Sequence, residues 1–276
     1  MKRSGEEMKK VIFSLLAVLF ISGCSFKIPF LPEEQSDQRP IIDDIDGEPE
    51  EKINETKEPP SELDLEATYF NVIKEVNGLQ EILNPDNILA LVNKEFVLPG
   101  NYVPDNLIRP NVPFSFGDQD IEKSYLRQEA AEALENMFSG AKKDGIHLFA
   151  VSGYRSYNRQ VAILNNEIDR VGEDKAVQAV AYPGKSEHQT GLAMDISSES
   201  AQFYLTEEFG ELEEGIWLKD HAHLYGFILR YPKGLENITG YQYEPWHFRF
   251  VGEKAAKIIY ENKWTLEEFF EEVEKI

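Results

Sequence analysis

The sequence predicts an α+β fold, a single domain whose small antiparallel or mixed sheet is flanked by helices. Two observations lead there. Segments with apolar residues at helical spacing bracket a few short strands that are not neighbours along the chain, a pattern unlike the regular strand–helix alternation of parallel sheets. Two of those strands, around residues 195 and 247, alternate between two faces with a period of two, as half-buried strands do. No internal repeat at solenoid periods is visible.

In chain order, Lys9 and Lys10 precede an apolar run from Val11 to Ile21, followed by Ser22-Gly23-Cys24. A basic region ahead of an apolar run too short to span a bilayer reads as a signal peptide over residues 1–24, starting at Met1 or Met8. The ending Ile21-Ser22-Gly23-Cys24 resembles the lipobox of bacterial lipoproteins, which implies lipidation at Cys24 and an extracytoplasmic, membrane-anchored location. Residues 25–66 carry fourteen Asp and Glu against four Lys and Arg, with six prolines interspersed. Such a segment cannot bury enough apolar surface to offset its chain entropy, so it is expected to be a disordered acidic linker. The folded domain is expected over 67–276.

Within that domain, Leu89 to Val97 is an apolar stretch that meets turn signals at Pro99-Gly100 and Pro104-Asp105. Leu126, Ala130, Ala133, Leu134, Met137, Phe138 and Ala141 predict a helix over 124–143, closed by Gly145. Residues 147–152 read as a strand, and 157–171 and 173–181 as helices, the second stopped at Pro183-Gly184. In 192–197, Leu192, Met194 and Ile196 share one face, and Ala193, Asp195 and Ser197 the other. Residues 207–225 look helical and 227–231 extended. Trp246, Phe248 and Phe250 lie opposite His247, Arg249 and Val251, and helices over 252–262 and 265–276 close the chain.

The formal charge of −22 argues against nucleic acid as a partner. With its only cysteine at position 24, the folded part has no disulfide, thiolate metal site or cysteine nucleophile available. Metal chemistry would have to use His, Asp and Glu.

Those residue types converge in Ser186-Glu187-His188-Gln189-Thr190-Gly191-Leu192-Ala193-Met194-Asp195 and, about fifty residues later, Glu244-Pro245-Trp246-His247. Two imidazoles and a carboxylate match a catalytic zinc site with three protein ligands and an open position for water. A further glutamate that is not a ligand can take that water's proton. Asp195 within an apolar strand is costly unless it is paired or binds metal. The competing structural reading gives Asp195 a buried salt bridge to Arg249, Arg155 a structural salt bridge and Glu244 a solvated turn. His221 and His223, two apart on a helix, face different directions and are expected to pack or meet solvent. His147 is read as structural.

Ser186-x-His188-x6-Asp195 and Glu244-x-x-His247, preceded by Ser152-Gly153-Tyr154-Arg155-Ser156, resemble the signatures of the VanY-like D-alanyl-D-alanine carboxypeptidases. That family belongs to a zinc peptidase group that includes VanX-type dipeptidases and LdcB-type enzymes, and shares a fold with Hedgehog signalling domains. The resemblance covers roughly residues 85–270. It implies zinc bound by His188, Asp195 and His247, with Glu244 as general base. It places Arg155 on the substrate's terminal carboxylate or the developing oxyanion, and Ser152, Gln160 and Ser186 near the C-terminal end of the peptide. The implied reaction is removal of the terminal D-alanine from peptidoglycan stem peptides, and the sequence gives no handle on oligomeric state, a monomer being the expectation. Family frequency favours D,D-carboxypeptidase activity. L,D activity on tetrapeptide stems is the alternative, with a non-catalytic wall-peptide binder or a lysin-like endopeptidase behind it.

Overall fold

The computed structural model describes residues 61–276. The expected signal peptide, the expected lipidation at Cys24 and the expected acidic linker up to residue 60 lie outside the described residues. The folded body begins before residue 67, because Asp64–Leu65 pairs in parallel with Glu274–Lys275 near the chain's end.

The central sheet has four strands in the order Phe149–Ser152, Ala193–Ser197, His247–Phe250 and Phe227–Leu229, each antiparallel to its neighbour. Met194, Ile196, Phe248 and Phe250 turn one face toward the main core, where they meet Ala130, Leu134, Met137 and Ala141 of the helix Gln128–Lys143. Ile228 and Val251 join a second core with Ile258, Ile259, Leu266 and Phe269 of the last two helices, Glu253–Asn262 and Leu266–Glu272. Every residue of the two inner strands is therefore buried, polar ones included. The α+β expectation holds, with three further two- or three-stranded sheets outside the central one among the described residues.

Several boundaries differ from the periodicity. The helix predicted over 124–143 starts at Gln128. Leu126–Arg127 pairs instead with Leu107–Ile108, and the backbone of Ser124 closes a short 3-10 turn on Ile121. The segment 207–225 is not one helix but a 3-10 turn, the helix Glu213–His221 and a second 3-10 turn, Ala222–Tyr225, ended by Gly226 in the left-handed region. The helix predicted to run to Ile276 stops at Glu272, since the last residues pair with Asp64–Leu65. The apolar stretch from Leu89 is mostly buried turn, and only Phe96–Val97 forms a strand, beside the Asn77-Gly78 hairpin Ile73–Ile82. An Asn-Gly pair with both φ values positive suits such a tight hairpin turn.

Candidate metal centre and substrate pocket

Sheet register brings the two halves of the motif together. His247 lies directly opposite Asp195 on the neighbouring strand. Side chains that share a face of paired strands stand about 5 Å apart, so two residues fifty positions apart in sequence become neighbours. His188 arrives differently. It sits in the 3-10 turn Glu187–Thr190, which ends at Gly191 with φ of 69° and folds back toward the Asp195 strand. A side chain at 191 would strain that left-handed backbone and meet Leu107 Cδ2 at 2.9 Å.

One ligand atom each from His188, Asp195 and His247 lies within 4.8 Å of the others, and all three residues are buried. His188 Nε2 is 3.3 Å from Asp195 Oδ2, and His247 Nδ1 is 3.0 Å from Asp195 Oδ1. The Nδ1 of His188 lies 2.8 Å from the Gly153 carbonyl. A carbonyl only accepts, so that nitrogen carries the proton and Nε2 presents its lone pair to the cluster. Gly153 is needed for this approach, because a Cβ there would fall 2.5 Å from the Tyr125 carbonyl. Burial lowers the affinity of the His188 imidazole for a proton, which favours its ligating form. Burial opposes ionisation of Asp195, but the two imidazoles beside it hold its carboxyl well below the usual range. Two neutral-capable imidazoles and one ionised carboxylate, converging in a buried spot with an open side, are a donor set that fits zinc.

Glu244 stands beside this cluster without joining it. Its Oε2 is 3.9 Å from His247 Nδ1, and its side chain is partly exposed. Burial is the main influence that pushes its carboxyl up to about 7. The solvated-turn reading of Glu244 is therefore corrected, since it lines a cavity of about 250 Å³ together with His188, Asp195 and His247. A carboxyl poised near neutrality beside a three-donor cluster has the properties of a general base.

Arg155 lines the same cavity. Its Nη1 donates to Gln160 Oε1 at 3.0 Å and its Nη2 to Ser152 Oγ at 3.4 Å, while Gln160 is itself anchored by donating to the Ala181 carbonyl. Among the described residues no carboxylate forms a salt bridge with Arg155. The structural salt bridge is thus absent, and a positioned guanidinium faces the cavity. Ser186 is buried on the cavity wall. The structure brings Ser152, Gln160 and Arg155 into hydrogen-bonded contact, with Ser186 on the same wall.

Arg249 does not pair with Asp195. It donates from Nη1 to Glu187 Oε1 at 2.8 Å and from Nη2 to the carbonyls of Ile88 and Ala90. Glu187, Tyr231 and Tyr241 belong to the site and were not singled out in the sequence. The Tyr231 ring lies 4.9 Å from that of His247 and 4.8 Å from that of Tyr241, whose hydroxyl donates to the Lys185 carbonyl. His221 stacks on Trp217, His223 stacks on Tyr260 and His147 is exposed, so none of the three joins the cluster. A larger cavity of about 530 Å³, between Asp64–Leu65 and Ile258, is mostly apolar and holds none of these residues.

The chain has counterparts among known proteins. A family model described as VanY, D-alanyl-D-alanine carboxypeptidase, matches residues 123–253. The Bacillus subtilis (strain 168) protein YodJ is 52% identical over the full length of both chains. The solved structure of the LdcB LD-carboxypeptidase, described with its peptidoglycan recognition, is 61% identical at a TM-score of 0.75, covering 78% of this chain and all of the other. A mutant of the vancomycin resistance D,D-pentapeptidase VanY, solved with Zn(II), is 31% identical at a TM-score of 0.53, covering 66% of this chain and 98% of its own.

Proposed function

The chain belongs to the VanY family of carboxypeptidases, and on that premise we propose that it is a zinc-dependent L,D-carboxypeptidase of the bacterial cell wall. It would remove the terminal D-alanine from tetrapeptide stems, where the residue before it is an L-configured centre. The observation that carries the chemistry is one cavity holding the His188–Asp195–His247 cluster, a non-ligating Glu244 and an unpaired Arg155. The choice of bond is supported by the 61% identity to an LD-carboxypeptidase over 78% of the chain. This outweighs the family-frequency argument for D,D activity. The D,D reading stands second, supported by the VanY D,D-pentapeptidase at 31% identity.

When bound, zinc supplies Lewis acidity, lowering the pKa of water toward neutrality and polarising the scissile carbonyl. Arg155, held by Gln160 and Ser152, receives the free carboxylate of the peptide and so sets which bond reaches the cluster. Glu244 accepts the proton of the attacking water and returns it to the leaving amine. Tyr231 covers the His247 ring on the cavity wall. The basic and apolar residues ahead of Cys24 support export and lipid anchoring, which would place the enzyme at the substrate's compartment.

The test is product analysis. The full-length protein, loaded with one equivalent of zinc, is incubated separately with muropeptides carrying tetrapeptide and pentapeptide stems, and the masses are followed. Loss of one alanine from the tetrapeptide is the expected result, and loss from the pentapeptide alone would turn the reading to D,D. Cleavage inside the stem would overturn both. A strong chelator is expected to abolish turnover, and added zinc to restore it. Activity that survives complete metal removal, measured by elemental analysis, would rule out the zinc reading.

A further inference from the structure

The ring of His247 has carboxylates on both sides. Its Nδ1 faces Asp195, while its Nε2 points into the protein toward Glu187 Oε2, at 3.4 Å. Glu187 is fully buried. Its Oε1 accepts from Arg230 Nε and from Arg249 Nη1, both at 2.8 Å. The two guanidiniums are tied down in turn. Arg230 donates both Nη groups to Glu267, at 2.8 and 2.6 Å, and Arg249 donates from Nε to the Phe250 carbonyl and from Nη2 to the carbonyls of Ile88 and Ala90. Both arginines are completely buried. Oε1 is thus committed to two cations, and among the described residues the partner of Oε2 is the His247 ring.

We infer that Glu187 is the positioning residue of the metal centre: through Oε2 it holds the proton of His247 on Nε2, so that Nδ1 is the atom offered to the metal. The two histidines of the cluster use opposite nitrogens, His188 its Nε2 and His247 its Nδ1. Each is oriented by an acceptor behind it, the Gly153 carbonyl for His188 and the Glu187 carboxylate for His247. An imidazole whose distal N–H is held by a carboxylate is fixed in rotation and tautomer and is a better donor. The Arg230–Glu267 pair ties Arg230 to the C-terminal helix Leu266–Glu272, which does not touch the cluster or Glu187 Oε2.

The inference rests on the zinc reading of the site, and the experiment separates the two. Zinc affinity is measured by competition with a chromogenic chelator, and ligand geometry by the absorption spectrum of the cobalt-substituted protein. E187Q is expected to bind zinc on the order of 10–100-fold more weakly than wild type, with a shifted cobalt spectrum. E267Q removes the other carboxylate on Arg230 and leaves the His247 contact intact. It is expected to lower the apo-protein's melting temperature while keeping wild-type zinc affinity and cobalt spectrum. E187D keeps the charge that the arginines require but draws the carboxylate away from His247. It carries the test if E187Q does not fold, and its expected zinc affinity lies between those of wild type and E187Q. Wild-type affinity and spectrum in E187Q or E187D would overturn the positioning role alone. So would equal losses of zinc affinity in E187Q and E267Q. A wild-type protein that takes up no stoichiometric zinc would overturn the zinc reading and this inference together.

Discussion

Glu244→Ala is expected to keep the fold and one equivalent of zinc while losing turnover by roughly 10²–10⁴-fold, the range attributable to a positioned acid–base group. The reasoning starts from geometry. Glu244 lies beside His247 but outside the three-donor cluster, so its removal takes away no ligand atom. Its carboxyl is partly exposed and no hydrogen bond holds its oxygens among the described residues, so truncation leaves no buried partner unsatisfied. The loss should therefore appear in kcat, with bound zinc and melting temperature unchanged. The pH profile gives a second reading. The active form is the carboxylate, and burial pushes its protonation up to about 7. Activity should fall as pH drops through the folded value, on an acid limb above the ordinary glutamate value of about 4.3. A bound cation stabilises the carboxylate, so this limb lies at or below 7 in the zinc-loaded enzyme. Near-normal kcat in Glu244→Ala would remove the residue from the chemistry.

The inner strands of the central sheet and two of the three donors, Asp195 and His247, were legible in the sequence because they follow from alternation, whereas His188 comes from a turn and entered through the motif resemblance. Met194 and Phe248 face the core, so Asp195 and His247 must share the opposite face, and antiparallel pairing makes them neighbours. The errors come from competition that local pattern does not encode. The helical spacing extends back to Ser124, but Leu126–Arg127 pairs with Leu107–Ile108 and Ser124 closes a 3-10 turn, so the helix starts later. Glu274–Lys275 leaves its helix to pair with a strand more than two hundred residues earlier. The salt bridge between Asp195 and Arg249, given by the competing structural reading, does not form. The nearer anion is Glu187, from the 3-10 turn, whose position depends on the left-handed Gly191. A signal for Glu187 did exist: a glutamate directly between Ser186 and His188, with two arginines in apolar strands that each needed a buried counter-charge. Tyr231 and Tyr241 offered no comparable signal, since a tyrosine beside a turn is compatible with almost any surface role.

Arg155→Ala is the second large effect expected, and it distinguishes a carboxypeptidase pocket from a groove that accepts internal bonds. Arg155 is a cation in a cavity with its Nη groups oriented by Gln160 and Ser152 and no carboxylate salt-bridged to it among the described residues. Burial weakens its hold on the proton, but Asp195 and Glu244 nearby act the other way, and a guanidinium stays charged at any pH of interest. A charge positioned and left open in this way is completed by the free carboxylate of the substrate. Truncating one side of such a pair costs about 2–5 kcal/mol, roughly 30-fold to 5,000-fold in kcat/KM. Arg155→Lys should recover only part of this, because an ammonium cannot reproduce the two-pronged contact. A peptide with an amidated C-terminus isolates the interaction. Wild type should process it poorly, and Arg155→Ala should process it no worse than wild type does. If Arg155→Ala instead slowed free and amidated peptides by the same factor, the guanidinium would be bracing the cavity rather than reading the carboxylate. The exclusion of internal cleavage would then need another residue.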